Sequence, residues 1–152
     1  MSIADIARPT RGLKNRNPGN LRTNPGFTWD GQVTFDDKGF VVFSSDVKGI
    51  RAVIVDLHTH YVRDMETSVL TLMAAYAPPV ENNTKEYVDF VAGRLGVGCF
   101  DTLVFDRRCA DSLFRAIVKM EQGIQPYDDA TIAEGVEQAF QHFAPPPLGA
   151  VA

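Results

Sequence analysis

The sequence predicts one α+β domain that is mainly helical, with a small β hairpin near the N-terminus and about five helices. Two short apolar segments separated by a turn occupy residues 27–45, whereas apolar residues recur at helical spacing from Asp46 onward. The chain has 152 residues, 45% of them hydrophobic and 22% charged, which is enough to bury one core of ordinary size. We expect residues 1–143 to form the domain and the proline-rich residues 144–152 to form an extended or disordered tail.

Turn-forming residues dominate the N-terminal part of the chain. Residues 8–26 are rich in Arg, Asn, Pro and Gly and contain two Asn-Pro-Gly triplets, which favour turns over helices or strands. We expect an ordered loop at the protein surface here. The segment 27–35 is then extended, the turn Asp36-Asp37-Lys38-Gly39 follows, and residues 40–43 form the second strand of a hairpin.

Five helices are predicted after the hairpin from apolar stripes and from residues that start or stop helices. The first begins at Asp46, which we take as its N-cap, and Pro78-Pro79 ends the second. Gly123 provides a C-terminal stop for the fourth. The four helices after the first are expected at roughly 67–76, 84–95, 107–122 and 129–143.

The charge balance bears on the class of partner. The formal charge is -4 and the isoelectric point is about 5.3, which argues against binding of nucleic acid through bulk positive charge. Five cations precede Asp30 with no acid among them, and they suit either phosphate groups or another anionic surface such as a cell wall. They are Arg8, Arg11, Lys14, Arg16 and Arg22. No apolar run is as long as a membrane span, and the first residues lack a signal-peptide stretch, so we expect a protein made in the cytoplasm.

No arrangement of His and Cys predicts a metal site. His58 and His60 are two residues apart on a predicted helix and point to different sides, so they cannot share an ion. Cys99 and Cys109 form no Cys-x-x-Cys pair, and Cys109 falls on an apolar helix face. We expect no metal, no other cofactor and no disulfide bond.

The most informative residue is Glu121, because it is a carboxylic acid on the apolar stripe of the fourth helix. It follows Ile117 by four residues and Val118 by three, which places all three on one face. It also lies in the last turn, where the helix dipole disfavours a negative charge. A carboxyl group in apolar surroundings favours its protonated form, as a general acid requires. The alternative is an ordinary glutamate that reaches solvent at the helix end or pairs with an arginine.

A polar loop between the second and third helices is the other candidate site. Four consecutive residues there carry hydrogen-bonding side chains: Glu81, Asn82, Asn83 and Thr84. They suit a polar wall that binds sugar hydroxyls and N-acetyl groups, whereas Asn83 and Thr84 equally suit capping of the third helix. Tyr76 and Tyr87 flank the loop and offer faces for sugar rings, although their spacing also suits core packing.

Several segments of this sequence together resemble a known family. NRNPGNLR, WDG, GFVVFSSDVKGIRA and YAPPVENNTKEYV look like phage lysins and virion-associated muralytic proteins with a lysozyme-like fold. The segment AIVKMEQGIQPY is similar to the end of the catalytic helix in lysozyme-superfamily enzymes, and YAPPVENNTKEYV resembles the tyrosine-bearing region of lytic transglycosylases. In those enzymes the glutamate helix usually comes first, whereas here Glu121 follows both tyrosines, which suggests a circular permutation. The resemblance spans residues 12–143.

The resemblance implies cleavage of the β-1,4 bond between N-acetylmuramic acid and N-acetylglucosamine in peptidoglycan. It makes Glu121 the general acid, with Glu81 as the replacement acid if the permutation does not hold. The substrate-binding residues it implies are Asn20, Tyr76, Asn82, Asn83, Thr84 and Tyr87. A phage protein of this kind is expected to be a monomer made in the host cytoplasm, to act on the periplasmic wall either from the virion or after release, and neither to bind nucleic acid nor to insert stably in the membrane.

The sequence leaves the type of reaction open. A muramidase needs a second carboxylate across the sugar, and Asp46, Asp128 and Asp129 each also suit a helix N-cap. A lytic transglycosylase needs one glutamate, because a hydroxyl of the sugar replaces water, and this single-acid mechanism is slightly favoured. The competing function is a non-catalytic wall-binding or virion structural module that keeps the fold.

Overall fold

Helices make up most of the structure, and a two-stranded antiparallel sheet precedes the longest of them. The computed structural model describes residues 9–76 and 84–143. In chain order its elements are α1 (Arg11–Lys14), β1 (Gln32–Phe35), β2 (Val41–Phe43), α2 (Asp46–Arg63), α3 (Val69–Ala74), α4 (Thr84–Leu95), α5 (Arg107–Gln122) and α6 (Asp129–Phe143). The predicted mainly helical α+β class is confirmed. The predicted tail, residues 144–152, lies outside the described part of the chain.

The later helices begin and end close to the predicted bounds. α4, α5 and α6 match the predicted ranges, and Asp128 caps α6. The prediction that Asp46 caps α2 is wrong: Ser45 is the N-cap, and its hydroxyl accepts from the backbone N–H of Lys48 (3.1 Å). α3 starts later than predicted because a capping box begins it after Ser68, and it ends at Ala74. The predicted stop, Pro78-Pro79, lies outside the described residues.

α5 is the central element of the core. It packs against α2, α3, α4 and α6, and its side chains Leu113, Phe114 and Ile117 are fully buried. α2 and α6 pack so closely at Gly135 that a methyl group added there would lie 2.5 Å from Cγ2 of Ile50. Contact with four helices fixes the position of α5 in the core. Within residues 9–76 and 84–143, no helix has both the length and the apolar character needed to cross a membrane.

The N-terminal segment is ordered, as predicted, but it is not only a surface loop. It begins with the one-turn helix α1, which is too short to show periodicity, and it buries Leu13 and Asn17. The Asn17 amide donates to the carbonyls of Leu21 (2.9 Å) and Val41 (3.0 Å), and its oxygen accepts from the Leu21 N–H (2.9 Å). The surface-loop prediction is wrong for these residues because a turn-forming asparagine can also satisfy backbone groups inside a fold.

A close backbone approach joins this segment to α2. A methyl group added at Gly49 would lie 1.9 Å from the carbonyl oxygen of Arg16 and 2.9 Å from Cδ of Pro18. A residue without Cβ is therefore required where the chain crosses the helix. Residues 15–20, called the NPGN loop below, are held against the start of α2 in this way.

Asp36 in the hairpin turn ties α1 to the sheet. Its carboxylate accepts from the Asn15 side-chain amide (2.8 Å) and from the backbone N–H groups of Lys38 (2.9 Å) and Phe40 (3.0 Å). Arg11 forms an ion pair with it (3.2 Å). Burial alone raises the pKa of Asp36, but the hydrogen bonds and the guanidinium outweigh it and lower the pKa from 3.8 to about 2.

We expect Gly49→Ala to destabilise the protein by about 1–3 kcal/mol, because the added methyl group meets a backbone carbonyl that cannot move aside alone. Gly93→Ala in α4 is the matched control, since a Cβ there has nothing within 4 Å. It should stabilise the protein by about 0.5–1 kcal/mol through helix propensity. Urea unfolding measures both, and equal stability of the two variants would contradict the close approach.

We expect Asp36→Asn to lower stability at neutral pH and to lose this effect in acid. The pKa of Asp36 is about 2 in the folded protein and 3.8 ordinarily. The carboxylate therefore adds its full stabilisation above pH 3.8 and loses it as the pH falls toward 2. Urea unfolding of both proteins between about pH 3 and pH 7 checks this. A difference that grows in acid would show that Asp36 is not a stabilising carboxylate.

Candidate active site around Glu121

Glu121 lies in the last turn of α5 and faces the N-terminal segment. The helix ends at Gln122, and Gly123 adopts the left-handed conformation (φ 79°) that commonly ends helices. The Glu121 side chain is partly buried, and its Oε2 accepts a hydrogen bond from Nδ2 of Asn20 (2.9 Å). The structure therefore brings together two residues, Glu121 and Asn20, that the sequence analysis assigned to one site.

The NPGN loop presents Asn20 to Glu121 in a strained backbone conformation. Asn20 has φ 51°, in the left-handed region, which costs a residue other than glycine about 1–3 kcal/mol. Asparagine enters this region more readily than most other residues. The backbone N–H of Asn20 donates to the carbonyl of Asn17 (3.1 Å), whose buried amide anchors the loop. The hydrogen bonds of Asn17 and the backbone conformation of Asn20 together direct the Asn20 amide toward the carboxyl group of Glu121.

Tyr76 follows α3 and packs under the same loop. A methyl group added at Gly19 would lie 2.7 Å from Cγ2 of Val53 and 3.4 Å from Cε1 of Tyr76. The Tyr76 hydroxyl donates to Oδ2 of Asp56 on α2 (2.7 Å). Burial raises the pKa of Tyr76 well above its ordinary value, and the charges of Asp56 and Glu121 raise it further. The phenol is therefore un-ionised at neutral pH and lies within electrostatic reach of Glu121.

Gln122 fastens the end of α5 to the NPGN loop. It is buried, its Nε2 donates to the carbonyl of Pro18 (2.9 Å), and its Oε1 accepts from the hydroxyl of Thr10. A methyl group added at Gly12 would lie 2.2 Å from Nε2 of Gln122 and 2.6 Å from Oδ1 of Asn20. α1 thus packs directly on both amides. The sequence analysis assigned no role to Gln122, because its partners Pro18 and Thr10 are far away in the sequence.

The other predicted site residues fall into two groups. Glu81, Asn82 and Asn83 lie outside the described residues. Thr84 is the first residue of α4 and is partly buried. Tyr87 lines a cavity of about 390 Å³ between α4 and α5, together with neighbours that include Phe90 and Lys119, and it packs against the core. Neither Asn20 nor Glu121 lines the cavity that contains Tyr87.

The structure places Asp56, a carboxylate that the sequence analysis did not single out, beside Tyr76. The three acids considered as a second carboxylate lie at helix N-termini instead: Asp46 begins α2, Asp128 caps α6, and Asp129 forms a surface ion pair. Burial raises the pKa of Asp46, while hydrogen bonds from Thr131 lower the pKa of Asp128. Nothing in the spacing of α2 distinguished Asp56, because its role depends on Tyr76 in another element.

Three of the five N-terminal cations contact the hairpin or the residue that follows it. Arg11 pairs with Asp36 and Asp37, Arg16 donates to the carbonyl of Ser44 (2.9 Å), and Arg22 donates to the carbonyl of Lys38 (2.9 Å). Arg22 also lies over the Phe40 ring, 4.2 Å from its centroid. These guanidinium groups therefore have internal partners. Arg8 is outside the described residues.

Comparison with known proteins gives a phage relative. No family model matches the sequence. The chain is 33% identical over 143 residues to Protein P5 of Pseudoalteromonas phage PM2, and the match covers 92% of this chain and 88% of that protein. Identity at this level over nearly the full length of both proteins shows common descent. The chain therefore belongs to the bacteriophage protein family that includes Protein P5 of phage PM2.

Proposed function

We propose that this protein cleaves the glycan strands of peptidoglycan and that Glu121 is the general acid. The observation that carries the proposal is the hydrogen bond from Asn20 to Glu121, made by an anchored loop in a strained conformation. Support of this kind is typical of a side chain that must keep one orientation for catalysis. An ordinary glutamate at a helix end requires none of it.

In this proposal, Glu121 donates a proton to the glycosidic oxygen. The hydrogen bond from Asn20 fixes Oε2 and therefore limits the plane of the carboxyl group. This orientation matters because proton transfer requires the acid to lie within hydrogen-bond reach of the leaving oxygen. A positioned general acid contributes about 10²–10⁴-fold to the rate.

The hydroxyl oxygen of Tyr76 is a hydrogen-bond acceptor whose orientation is fixed by its bond to Asp56. The phenol hydroxyl has one hydrogen, which Tyr76 uses in its hydrogen bond to Asp56. The remaining lone pairs can accept from sugar hydroxyls or from the N–H of an N-acetyl group. This supports a substrate-contacting role for Tyr76, and the polar residues Glu81, Asn82 and Asn83 follow it in the sequence.

A single-acid reaction suits the described carboxylates better than a two-carboxylate reaction. Asp128 and Asp129 are engaged at the start of α6, Asp46 is the first residue of α2, and Asp56 accepts a hydrogen bond from Tyr76. In a lytic transglycosylase, Glu121 would first protonate the leaving oxygen and then accept the proton of a hydroxyl on the same sugar. We therefore favour transglycosylase over muramidase chemistry. As a member of a phage family, the protein would act on the host wall from the virion or after release.

The second candidate function is a non-catalytic wall-binding or virion structural module. The observation that favours it is that the same hydrogen bond joins the N-terminal segment to α5, as a purely structural contact would. Gln122 already makes such a connection one residue later. The two functions differ in whether removal of the acid, with the fold kept, abolishes bond cleavage.

We expect Glu121→Gln to reduce release of soluble fragments from purified sacculi at least about 100-fold, because the amide cannot donate a proton to the glycosidic oxygen as a carboxylic acid does. The melting temperature should change little, since the Asn20 amide can still donate to the new carbonyl oxygen. Mass spectrometry of the wild-type products assigns the reaction: anhydromuramyl ends mean transglycosylase, and reducing ends mean muramidase.

Glu81→Gln is the companion variant and should reduce activity less than Glu121→Gln. An inactive Glu81→Gln protein beside a fully active Glu121→Gln protein would exchange the two roles. A wild-type protein that binds sacculi but releases no fragments would instead support the non-catalytic module.

We expect Asn20→Gly and Asn20→Ala to lose activity together while they differ in stability. Both variants remove the amide that orients Glu121. Glycine adopts φ 51° without strain, whereas alanine carries a penalty of about 1–2 kcal/mol, so Asn20→Ala should unfold more readily. Fragment release and urea unfolding are measured on both. An Asn20→Gly protein with full activity would show that the amide has no role in positioning the acid.

A further inference from the structure

A cluster of metal-ligating side chains lies at the C-terminal end of α2, apart from Glu121. His60 and Asp64 are four residues apart and share one face of the helix. Nδ1 of His60 is 3.1 Å from Oδ2 of Asp64 and 3.1 Å from Oε2 of Glu66. One ligand atom from each residue lies within 4.8 Å of the other two.

The chain turns back after α2 to bring Glu66 over the histidine. Met65 adopts φ 56°, and the backbone N–H of Glu66 donates to the carbonyl of His60 (3.2 Å). Oε2 of Glu66 is sealed from solvent and makes no hydrogen bond within the described part of the chain. Nδ1 of His60, 3.1 Å away, is also buried and makes no hydrogen bond within the described residues. Buried polar atoms without hydrogen bonds cost free energy, and a cation bound to both atoms would remove that cost.

Negative charge exceeds positive charge around His60. Asp56 lies on the other side of the ring, with Oδ2 3.6 Å from Nε2, so three carboxylates surround one imidazole. Arg63, which is largely exposed, pairs with Asp64 (2.8 Å). The excess of carboxylates suits a divalent cation.

We propose that His60, Asp64 and Glu66 bind a divalent transition-metal ion of the zinc type. Zn²⁺ binds imidazole nitrogen and carboxylate oxygen at about 2.0–2.2 Å, which separates neighbouring ligand atoms by about 3.3–3.6 Å in tetrahedral geometry. The two contacts of 3.1 Å from His60 Nδ1 are slightly shorter, so binding of the ion requires only a small outward shift of these side chains. The cluster is partly exposed, so water can complete the coordination.

The ligand set distinguishes between classes of cation. Imidazole nitrogen suits zinc and its transition-metal neighbours, whereas Mg²⁺ and Ca²⁺ prefer oxygen ligands throughout. Three protein ligands, one of them nitrogen, are too few for a typical calcium site. His58 cannot contribute, because its ring stacks on Phe143 with centroids 3.9 Å apart.

The test is calorimetric titration of the tag-free, metal-stripped protein with ZnCl₂, together with NMR of the histidine rings. We expect one Zn²⁺ per chain, a change in the His60 ring signals and a higher melting temperature, because the ion binds the folded state. His60→Gln and Glu66→Gln should each weaken binding at least about tenfold, the loss seen even for indirect contacts to a metal ligand. His58→Gln is the matched control on the same helix and should bind as the wild type does.

Three results would overturn the proposal: absence of binding, equal binding by the wild type and His60→Gln, or tighter binding of Ca²⁺ or Mg²⁺ than of Zn²⁺. Glu66→Gln keeps the size and shape of the side chain, and its melting temperature without metal shows whether loss of the Glu66–His60 ion pair affects folding. None of these measurements involves wall cleavage, so their outcome is independent of whether Glu121 is a general acid.

Discussion

The arrangement around Glu121 depends on one buried amide, that of Asn17. Its three hydrogen bonds join the NPGN loop to Leu21 and to Val41 of β2, and the side chain is completely buried. Each buried polar group left without a partner costs about 1–3 kcal/mol, so the loop has one strongly preferred position. A second attachment, from the Phe43 N–H to the carbonyl of Asn15 (2.9 Å), fixes the loop to the same strand.

Two tight contacts carry this position to the rest of the fold. Gly49 lets α2 lie directly against the backbone of Arg16, and Gln122 holds the carbonyl of Pro18 from the end of α5. The loop therefore cannot shift relative to either helix without losing a buried hydrogen bond or opening a close contact. This coupling lets Asn20 hold Glu121 at a fixed place, although the two residues are 101 positions apart in the sequence.

Local chemistry explains what the sequence predicted well, and tertiary contacts explain what it missed. The bounds of α4, α5 and α6 follow from apolar stripes and from start and stop residues close in sequence. Glu121 stood out as an acid on an apolar stripe, but no local pattern specifies that Asn20 docks beside it. The burial of Asn17 and the pairing of Tyr76 with Asp56 likewise depend on elements far apart along the chain. The sequence analysis compared His60 only with His58 and therefore missed the carboxylate of Asp64, one helical turn away.

The conformation of Asn20 argues that its side chain is needed. Glycine occupies five left-handed positions in the described part of the chain, among them Gly26 and Gly39, as expected where only the backbone matters. Asn20 accepts the cost of the same region and keeps a side chain that donates to Glu121. Glycine would adopt the same backbone conformation without strain but could not make this hydrogen bond. The amide therefore supplies what glycine cannot, a hydrogen bond that gives one carboxyl group a fixed direction, as the proposed role of Glu121 requires.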